Sequence, residues 1–521
     1  MTTPDDHDRR VTDRRATARR SGDARATMLR SRRPRVAVLV YNDCHADTRV
    51  LKTAATLVEA GADVRIFAIA RPTAGYPAGV WRLENGVVLE RLSTFELFQH
   101  LAPMARIYRR ISGSPGAVAL GATEDVGRGR GAPGSAPAHA GRVARDRPIV
   151  AAVAPAPKTA LPDRILRSRA GRLALRPLSA VVLWSYWRSA ADAVTRWRPD
   201  VVHANDANTL HPAMSVAGRL QVPFVYDSHE LWTQRNVAGR RPVATKVERW
   251  IERRGIRRAA AVITVSPSIA SYLQTTYGLV QAPVLVRNIP PAAQRTTDRR
   301  EGRLRALAGL GAESRVLAYG GRITTNRGLE ETIDALAELP DDVHLVVLGY
   351  GAAGYVDGLR TRARARGVTG RVHFVGKVPS AEVSLALADA DASIVFVRPT
   401  CLSYRWSLPN KLFESIHGGL PVVAADLPDT RQIVEEHGVG EVFESEEPRV
   451  MARTILSVIA DPERYRAASR HAATELTWEG ESVRLLEVYR RALGSHWDDA
   501  LADLEPVDGL RAPSDAGRRA G

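Results

Sequence analysis

Val316-Leu-Ala-Tyr-Gly-Gly-Arg-Ile-Thr-Thr-Asn-Arg-Gly-Leu-Glu-Glu-Thr-Ile-Asp-Ala335 passes from an apolar run, through glycines and arginines, into a helical repeat. Val316 to Tyr319 reads as a strand, Gly320, Gly321 and Arg322 as the turn that ends it, and Arg327 with Gly328 as the opening of a helix continuing through Thr332 and Ala335. The same alternation extends outward from this step. Leu345 to Leu348, Val372 to Val375, Ala392 to Val397 and Val422 to Ala425 are further β-branched runs separated by helical-period segments. Val36 to Val40, Val64 to Ile69, Val201 to His203, Phe224 to Tyr226 and Val262 to Val265 repeat the arrangement in the first half. Strands alternating with helices indicate βαβ units and parallel sheets, so each half reads as its own doubly wound α/β domain. Asn288, Pro290 and Pro291 interrupt the pattern and place the seam between Val284 and Arg303. Two such domains in series create a cleft between the carboxyl ends of both sheets, where these folds bind ligands.

Composition narrows the alternatives. The chain has 521 residues, 45% of them apolar, which is enough to bury full cores and excludes a wholly disordered chain, a collagen repeat or a disulfide-stapled miniprotein. Cys44 and Cys401 stand far apart with no CxxC or Cys/His spacing, so neither a disulfide framework nor a structural zinc site is encoded, and a reducing compartment is expected. Met1 to Pro34 carries ten Arg and no apolar stretch of a secretory signal. No apolar run approaches the ~20 residues of a spanning helix. Three segments are expected to be disordered: a basic tail at 1–34, a Gly/Ala/Pro/Arg insertion at 112–162, and a polar tail at 506–521.

Charge is unevenly spread. Residues 301–521 hold 26 basic and 33 acidic side chains of totals of 74 and 57, a net of −7; residues 1–300 therefore hold 48 and 24, a net of +24. Only five of the 74 are Lys, at positions 52, 158, 246, 377 and 411.

Three groups of residues carry chemistry. In the first, Gly320 and Gly321 let backbone approach a phosphate, the helix after Gly328 offers free N–H groups and a positive dipole end, and Arg322 and Arg327 can fork onto a diphosphate. GxxxxGK[ST] is absent, and no GxGxxG follows Val36 to Val40. The second is Ser407-Leu-Pro-Asn-Lys-Leu-Phe-Glu414 before Gly418-Gly419-Leu420-Pro421. With Ser407 as cap and Pro409 in the first turn, Asn410 and Glu414 lie one helical turn apart with Lys411 beside them. Glu414 can accept both hydroxyls of a ribose, and Lys411 can reach phosphate. The third comprises Asp47-Thr-Arg49, His203-Ala-Asn-Asp206 and Asp227-Ser-His-Glu230, at successive strand ends on one rim.

Taken together, DTRVLKTAATLVEAGADV, DVVHANDANTL, VYDSHELW, GGRITTNRGLEETI and SLPNKLFESIHGGLPVVAADLP resemble the retaining glycosyltransferases of family 4, over approximately residues 35–493 apart from the insertion. The resemblance implies the GT-B fold: two Rossmann-like domains facing a central cleft, an acceptor-side domain at 35–297, a nucleotide-sugar-binding domain at 298–475, and a helix at 476–497 crossing back to the first domain. It implies that Arg322 and Arg327 hold the donor diphosphate, with Gly320, Gly321, Asn410, Lys411 and Glu414 completing the donor site, and that His229 lies near the transferred sugar. Asp206, His229 and Arg49 are the expected catalytic residues, placed on the acceptor side. Many members carry a second Glu eight positions before the first. Here that position is Trp406, as in a subgroup with a PxKxFE helix.

The implied activity moves a sugar from a nucleoside-diphosphate sugar to a glycan or lipid-linked acceptor with retention at the anomeric carbon, in cell-envelope polysaccharide or glycoconjugate synthesis. No metal and no cofactor are expected. An epimerase or phosphorylase of the same fold, or a non-catalytic nucleotide-sugar-binding protein, are the alternatives. The basic first half, the ladder Lys246, Arg249, Arg253 and Arg257, and the aromatic stretch Leu178 to Trp187 suggest an anionic membrane surface as a further partner. A cytoplasmic protein peripheral to the inner face of the plasma membrane is expected, and nucleic acid is not an expected partner. In the last helix, Trp478 to Leu493, the apolar face is expected to comprise Val483, Leu486, Tyr489 and Leu493.

Overall fold

The computed structural model describes residues 33–94, 176–236, 242–296 and 298–497. The expected insertion at 112–162 and tail at 506–521 lie outside these, as does the basic tail before residue 33. One compact unit runs to Ala70, resumes over Ala78–Ser93 and continues from Tyr186, and it carries both sheets. The described part of the other unit includes a single 3-10 turn, Pro72–Ala74, closed by a bridge between Arg71 and Tyr76.

The first sheet contains β1 (Arg35–Leu39), β2 (Asp63–Ile69), β3 (Gly79–Arg82), β4 (Val88–Leu92), β5 (Val201–Asn205), β6 (Phe224–Ser228), β7 (Ala261–Thr264) and β8 (Val284–Leu285). Its order is β3-β4-β2-β1-β5-β6-β7-β8, parallel except for the β3–β4 pair. The second contains β9 (Arg315–Ile323), β10 (Val343–Gly351), β11 (Val372–Gly376), β12 (Ala392–Val395), β13 (Val422–Ala425) and β14 (Gly440–Phe443), all parallel in the order β11-β10-β9-β12-β13-β14. Central strands such as β5, β6, β12 and β13 are buried along their whole length, which is why they read as continuous apolar runs. In both sheets the strand order reverses at one place, between β1 and β5 and between β9 and β12. Crevices of a doubly wound sheet open at such a reversal.

Core packing follows from strand alternation. Leu317 and Tyr319 enter one hydrophobic layer with Leu329, Ile333 and Leu336, while Val316 and Ala318 enter the opposite layer with Leu387 and Leu420. The Asn410–His417 helix is fixed by Leu412, Phe413 and Ile416, which pack with Val395, Val422 and Ile289. The Trp478–Leu493 helix packs on the first sheet, where Trp478, Leu485, Val488 and Tyr489 join the cluster of Val36, Val38 and Val64. Of the expected face, Tyr489 is buried and Leu486 and Leu493 are partly buried against this cluster, but Val483 is exposed, and Leu485 and Val488 take further core positions. Two crossings of the chain are tied together here. The Trp478 N–H donates to the Pro290 carbonyl (3.1 Å), and Glu481 accepts from the backbone N–H and Nε of Arg287 (both 2.8 Å).

The opening segment differs from expectation in one respect. Gly320, Gly321 and Arg322 do not form a turn but continue β9, paired with β10 as far as Ile323 and Gly351. The pairing survives because glycine faces glycine there: a Cβ on Gly349 would lie 1.8 Å from the Gly321 carbonyl oxygen. The turn follows at Thr324–Gly328, and Gly328 caps the Leu329–Leu336 helix with φ of 70°. A Cβ on Gly328 would fall 1.9 Å from Phe396 Cδ1. Gly328→Ala combines left-handed strain with a core clash and is expected to destabilise the protein by about 2–4 kcal/mol. Chemical denaturation of the two proteins checks this; equal midpoints would contradict it.

Candidate active site

A cavity of about 350 Å³ collects Tyr319, Gly320, Gly321, Arg322, Arg327, Asn410, Lys411 and Glu414 from the second sheet and its helices. His229 and Glu230, which follow β6 of the first sheet, line it as well. All seven expected donor-side residues therefore share one wall. A second opening of about 380 Å³, at the β11 edge around Leu307, Arg360 and Phe374, lies away from both strand-order reversals and is lined by no carboxylate.

Each side chain is delivered by a specific element. Arg322 is exposed near the end of β9, and Arg327 follows in the turn, with its guanidinium 5.1 Å from the centre of the Tyr404 ring. The turn is held by the Arg398 N–H, which donates to the Asn326 carbonyl (3.1 Å). Pro409, not Ser407, is the cap of the next helix, so Asn410 is its first residue; Ser407 Oγ instead donates to the Tyr404 carbonyl (2.9 Å). Pro409 is extended because its ring fixes φ near −72° while ψ is free to sit at 139°, outside the helical region. Lys411 Nζ lies 4.1 Å above the centre of the Tyr319 ring and 3.5 Å from the Phe396 carbonyl. Burial, reinforced by Arg327, pushes the Lys411 ammonium down to about 7. Burial pushes Glu414 up to about 7, against the pull of Lys411 and Lys52.

The first-sheet side is a charge cluster. Arg49 donates Nε and Nη2 to the two oxygens of Asp227 (2.9 and 2.8 Å) and Nη1 to the Val286 carbonyl (2.6 Å). His203 Nε2 stands 3.5 Å and His229 Nε2 3.3 Å from Asp227, and His203 Nδ1 pairs with the Tyr489 hydroxyl at 2.7 Å. Asp206 accepts the His229 backbone N–H (3.2 Å) and faces its Nδ1 at 3.6 Å. Burial opposes charge on His229, but Asp206 and Asp227 outweigh it and lift the imidazolium to about 9. The resulting stability is complete below the ordinary histidine value near 6.5 and is lost as pH rises through about 9. Asp206 is raised by burial. Glu230 is raised to about 6 by burial and Asp206, with Arg235 and Arg327 opposing.

The three expected strand-end groups do meet on adjacent strands, yet their members differ in role. Arg49 is buried, its guanidinium occupied by Asp227 and Val286, and it lines no part of the cavity; it positions Asp227 and through it His229. Asp206 stands behind His229 and is likewise absent from the lining. Of that trio, His229 alone reaches the cavity. Trp406 lies outside the cavity lining: its ring packs 5.4 Å from that of Tyr272, and its carbonyl accepts Ser266 Oγ (2.7 Å). The expected aromatic docking stretch is in part core, since Tyr186 is fully buried and its hydroxyl donates to the Val40 carbonyl (3.0 Å).

Two residues escaped the sequence reading. Glu230 was visible as a neighbour of His229 but not assigned. Lys52 lines a smaller cavity of about 160 Å³ on the other side of Glu414, donates to the Ile289 carbonyl (2.5 Å) and is held down to about 7 by burial and Arg49. Its scarcity among 74 basic residues was the one available signal.

Comparison with known proteins agrees with this fold. A family model described as "Glycosyltransferase Family 4" matches residues 139–288, and one described as "Glycosyl transferases group 1" matches residues 303–475. A glycogen synthase of Mycobacterium tuberculosis is 28% identical over 309 residues, covering 57% of this chain and 70% of that protein. A sucrose-phosphate synthase from Thermosynechococcus elongatus has the same fold, with a TM-score of 0.63 at 16% identity over 89% of this chain and all of that one. The Anabaena protein HepE, solved in complex with UDP and glucose, gives a TM-score of 0.57 at 15% identity over 88% and 99%.

Asp227→Asn would leave the buried Arg49 guanidinium without its carboxylate and is expected to cost about 3–5 kcal/mol. It should also drop the His229 pKa toward the ordinary histidine value. Denaturation and histidine NMR titration read the two effects; an unchanged titration would remove Asp227 from control of His229.

Proposed function

Starting from the fact that this chain is a glycosyltransferase of GT-B fold, we propose that it transfers a sugar from a nucleoside-diphosphate sugar, with retention, to a hydroxyl of a glycan or lipid-linked acceptor. The observation that carries this reading is the convergence of Arg322, Arg327 and Lys411 with Glu414 in one cavity, opposite His229 and Glu230. Fixed positive groups aimed at a developing diphosphate lower the barrier to its departure. Arg322 and Arg327 take the diphosphate oxygens, the N-terminus of the Leu329–Leu336 helix adds its dipole, and Glu414 accepts the ribose hydroxyls.

In the transfer, the bond between the anomeric carbon and the diphosphate oxygen breaks, and the electron pair leaves with the diphosphate. The acceptor hydroxyl oxygen bonds to the same face of that carbon, and its proton passes to the departing phosphate oxygen. His229, lifted to about 9, stays an imidazolium near neutrality. It therefore serves as a fixed cation and hydrogen-bond donor to the sugar, not as a base. Glu230 supplies a carboxylate to sugar hydroxyls from the opposite sheet, where Trp406 removes the one many family 4 enzymes carry. Glycogen synthase, a related protein, is named for a glycan product, which supports a glycan acceptor; a lipid-linked acceptor is favoured by the cationic first half of the chain. Among the described residues no helix is long and apolar enough to cross a membrane.

Arg327→Ala and Glu414→Gln are each expected to lower kcat/KM by about 10²-fold or more without changing the melting temperature. Steady-state assay with UDP-, GDP- and dTDP-sugars checks this, and undiminished transfer would withdraw the site assignment. A second expectation concerns protons. Lys411 near 7 is partly neutral in the free enzyme, and an arriving diphosphate draws it back toward its ordinary value. Nucleoside diphosphate binding should then take up roughly one proton near pH 8.5, where Glu414 is already ionised and releases none. Calorimetry in buffers of differing ionisation enthalpy measures the uptake, and Lys411→Met should abolish it. No uptake in the parent enzyme would place the diphosphate away from Lys411.

A further inference from the structure

We propose that the Pro242–Ile256 helix is a membrane-docking surface that inserts Trp250, Val247 and Val243 among the headgroups of an anionic bilayer. These three side chains are 60%, 50% and 75% exposed, an unusual state for a tryptophan and two valines on consecutive turns of one helix. At 100° per residue, Val243, Val247 and Trp250 fall together within about 60° of arc. Lys246 and Arg253 border them on one side, Arg254 lies within the same arc, and Arg257, whose Nε donates to the Tyr277 carbonyl (2.8 Å), continues the row just past the helix; all four are exposed. Arg254 lies over the Trp250 ring at 5.7 Å.

The inner face fixes this orientation. Gly255 packs so closely on Leu210 that a Cβ would meet its Cδ atoms at 2.9 Å, and Ile251 and Ile256 are buried beside it. The two acidic residues of the helix are drawn away from the exposed arc. Glu252 is buried and accepts the hydroxyls of Tyr226 (2.9 Å) and Tyr277 (2.5 Å); Glu248 lies 3.6 Å from Arg235. What remains outward is an apolar row that includes Arg254 in its arc and is bordered along one side by Lys246, Arg253 and Arg257. Arg and Lys can extend their heads to phosphates while their stems and the central side chains enter the interface. A second copy of the chain fits this surface poorly, because a two-fold contact would press cationic rims together. A polyanion such as nucleic acid would satisfy the rim but leave no partner for Trp250 and the valines.

This inference deepens the lipid-linked acceptor reading and rests on it for purpose alone. Vesicle binding needs no acceptor and no donor, so its failure is distinguishable from failure of the transferase assignment. The test is co-sedimentation of the full chain with phosphatidylcholine vesicles with and without phosphatidylglycerol. Binding is expected only with the anionic lipid and should weaken as salt rises. Each basic side chain near the surface contributes roughly fivefold, so the pair K246E and R253E together should weaken binding roughly twenty-fivefold or more. V247S with W250S should weaken it about tenfold or more at unchanged melting temperature. The proposal is overturned if the parent ignores anionic vesicles, or if both double variants bind like the parent, which would assign docking to another basic segment. It is equally overturned if V247S with W250S abolishes a dimer detected by light scattering and leaves vesicle binding intact.

Discussion

The site depends on fixed positive charge concentrated at one strand-order reversal. Arg322 and Arg327 arrive there from β9 and the turn after it, and Lys411 from the Asn410–His417 helix, all lining one cavity. Burial over Tyr319 costs Lys411 much of its hold on a proton, and the like charge of Arg327 adds to that cost. An anion between these groups reverses that cost. In the proposed transfer that anion is a diphosphate, held most strongly in the state in which its charge is greatest.

Across the cleft, a second charge cluster serves precision. Asp227 holds Arg49 through two hydrogen bonds and faces both His203 and His229, while Tyr489 reaches His203 from the last helix. Burial makes each of these charges costly alone, so the cluster is stable only as a set. His229 inherits its protonation and direction from this arrangement. The same last helix is bonded to the segment joining the two sheets through Glu481 and Arg287, so the two crossings of the chain and the imidazole share one framework.

Much of this could be read from residues alone. All ten β-branched runs became strands; most are parallel strands buried on both faces, which leave an apolar signature, although β11 at its sheet's edge is only half-buried. Four strands were missed, and they were of other kinds: β3 alternates half-buried and exposed positions, β4 carries Glu90 and Arg91 within it, β8 has two residues, and β14 has four with Gly440 and Glu441 at its start. That the seven residues expected on the donor side share one cavity was legible because short-range spacing fixes them: Gly320 to Arg327 on one strand and turn, Asn410 to Glu414 on one helical turn. The acceptor side was less so. Nothing in the spacing of Arg49 and Asp227, 178 positions apart, says that they would consume each other. Glu230 and Lys52 depended likewise on how the two sheets meet.

The central claim is that guanidinium groups of the second sheet hold a diphosphate within this cavity. A crystal structure of the protein with a nucleoside diphosphate tests it most directly. The account predicts phosphate oxygens within hydrogen-bonding distance of Arg322 and Arg327, with Glu414 on the ribose hydroxyls. A nucleotide bound elsewhere, with both guanidiniums directed into solvent, would contradict it.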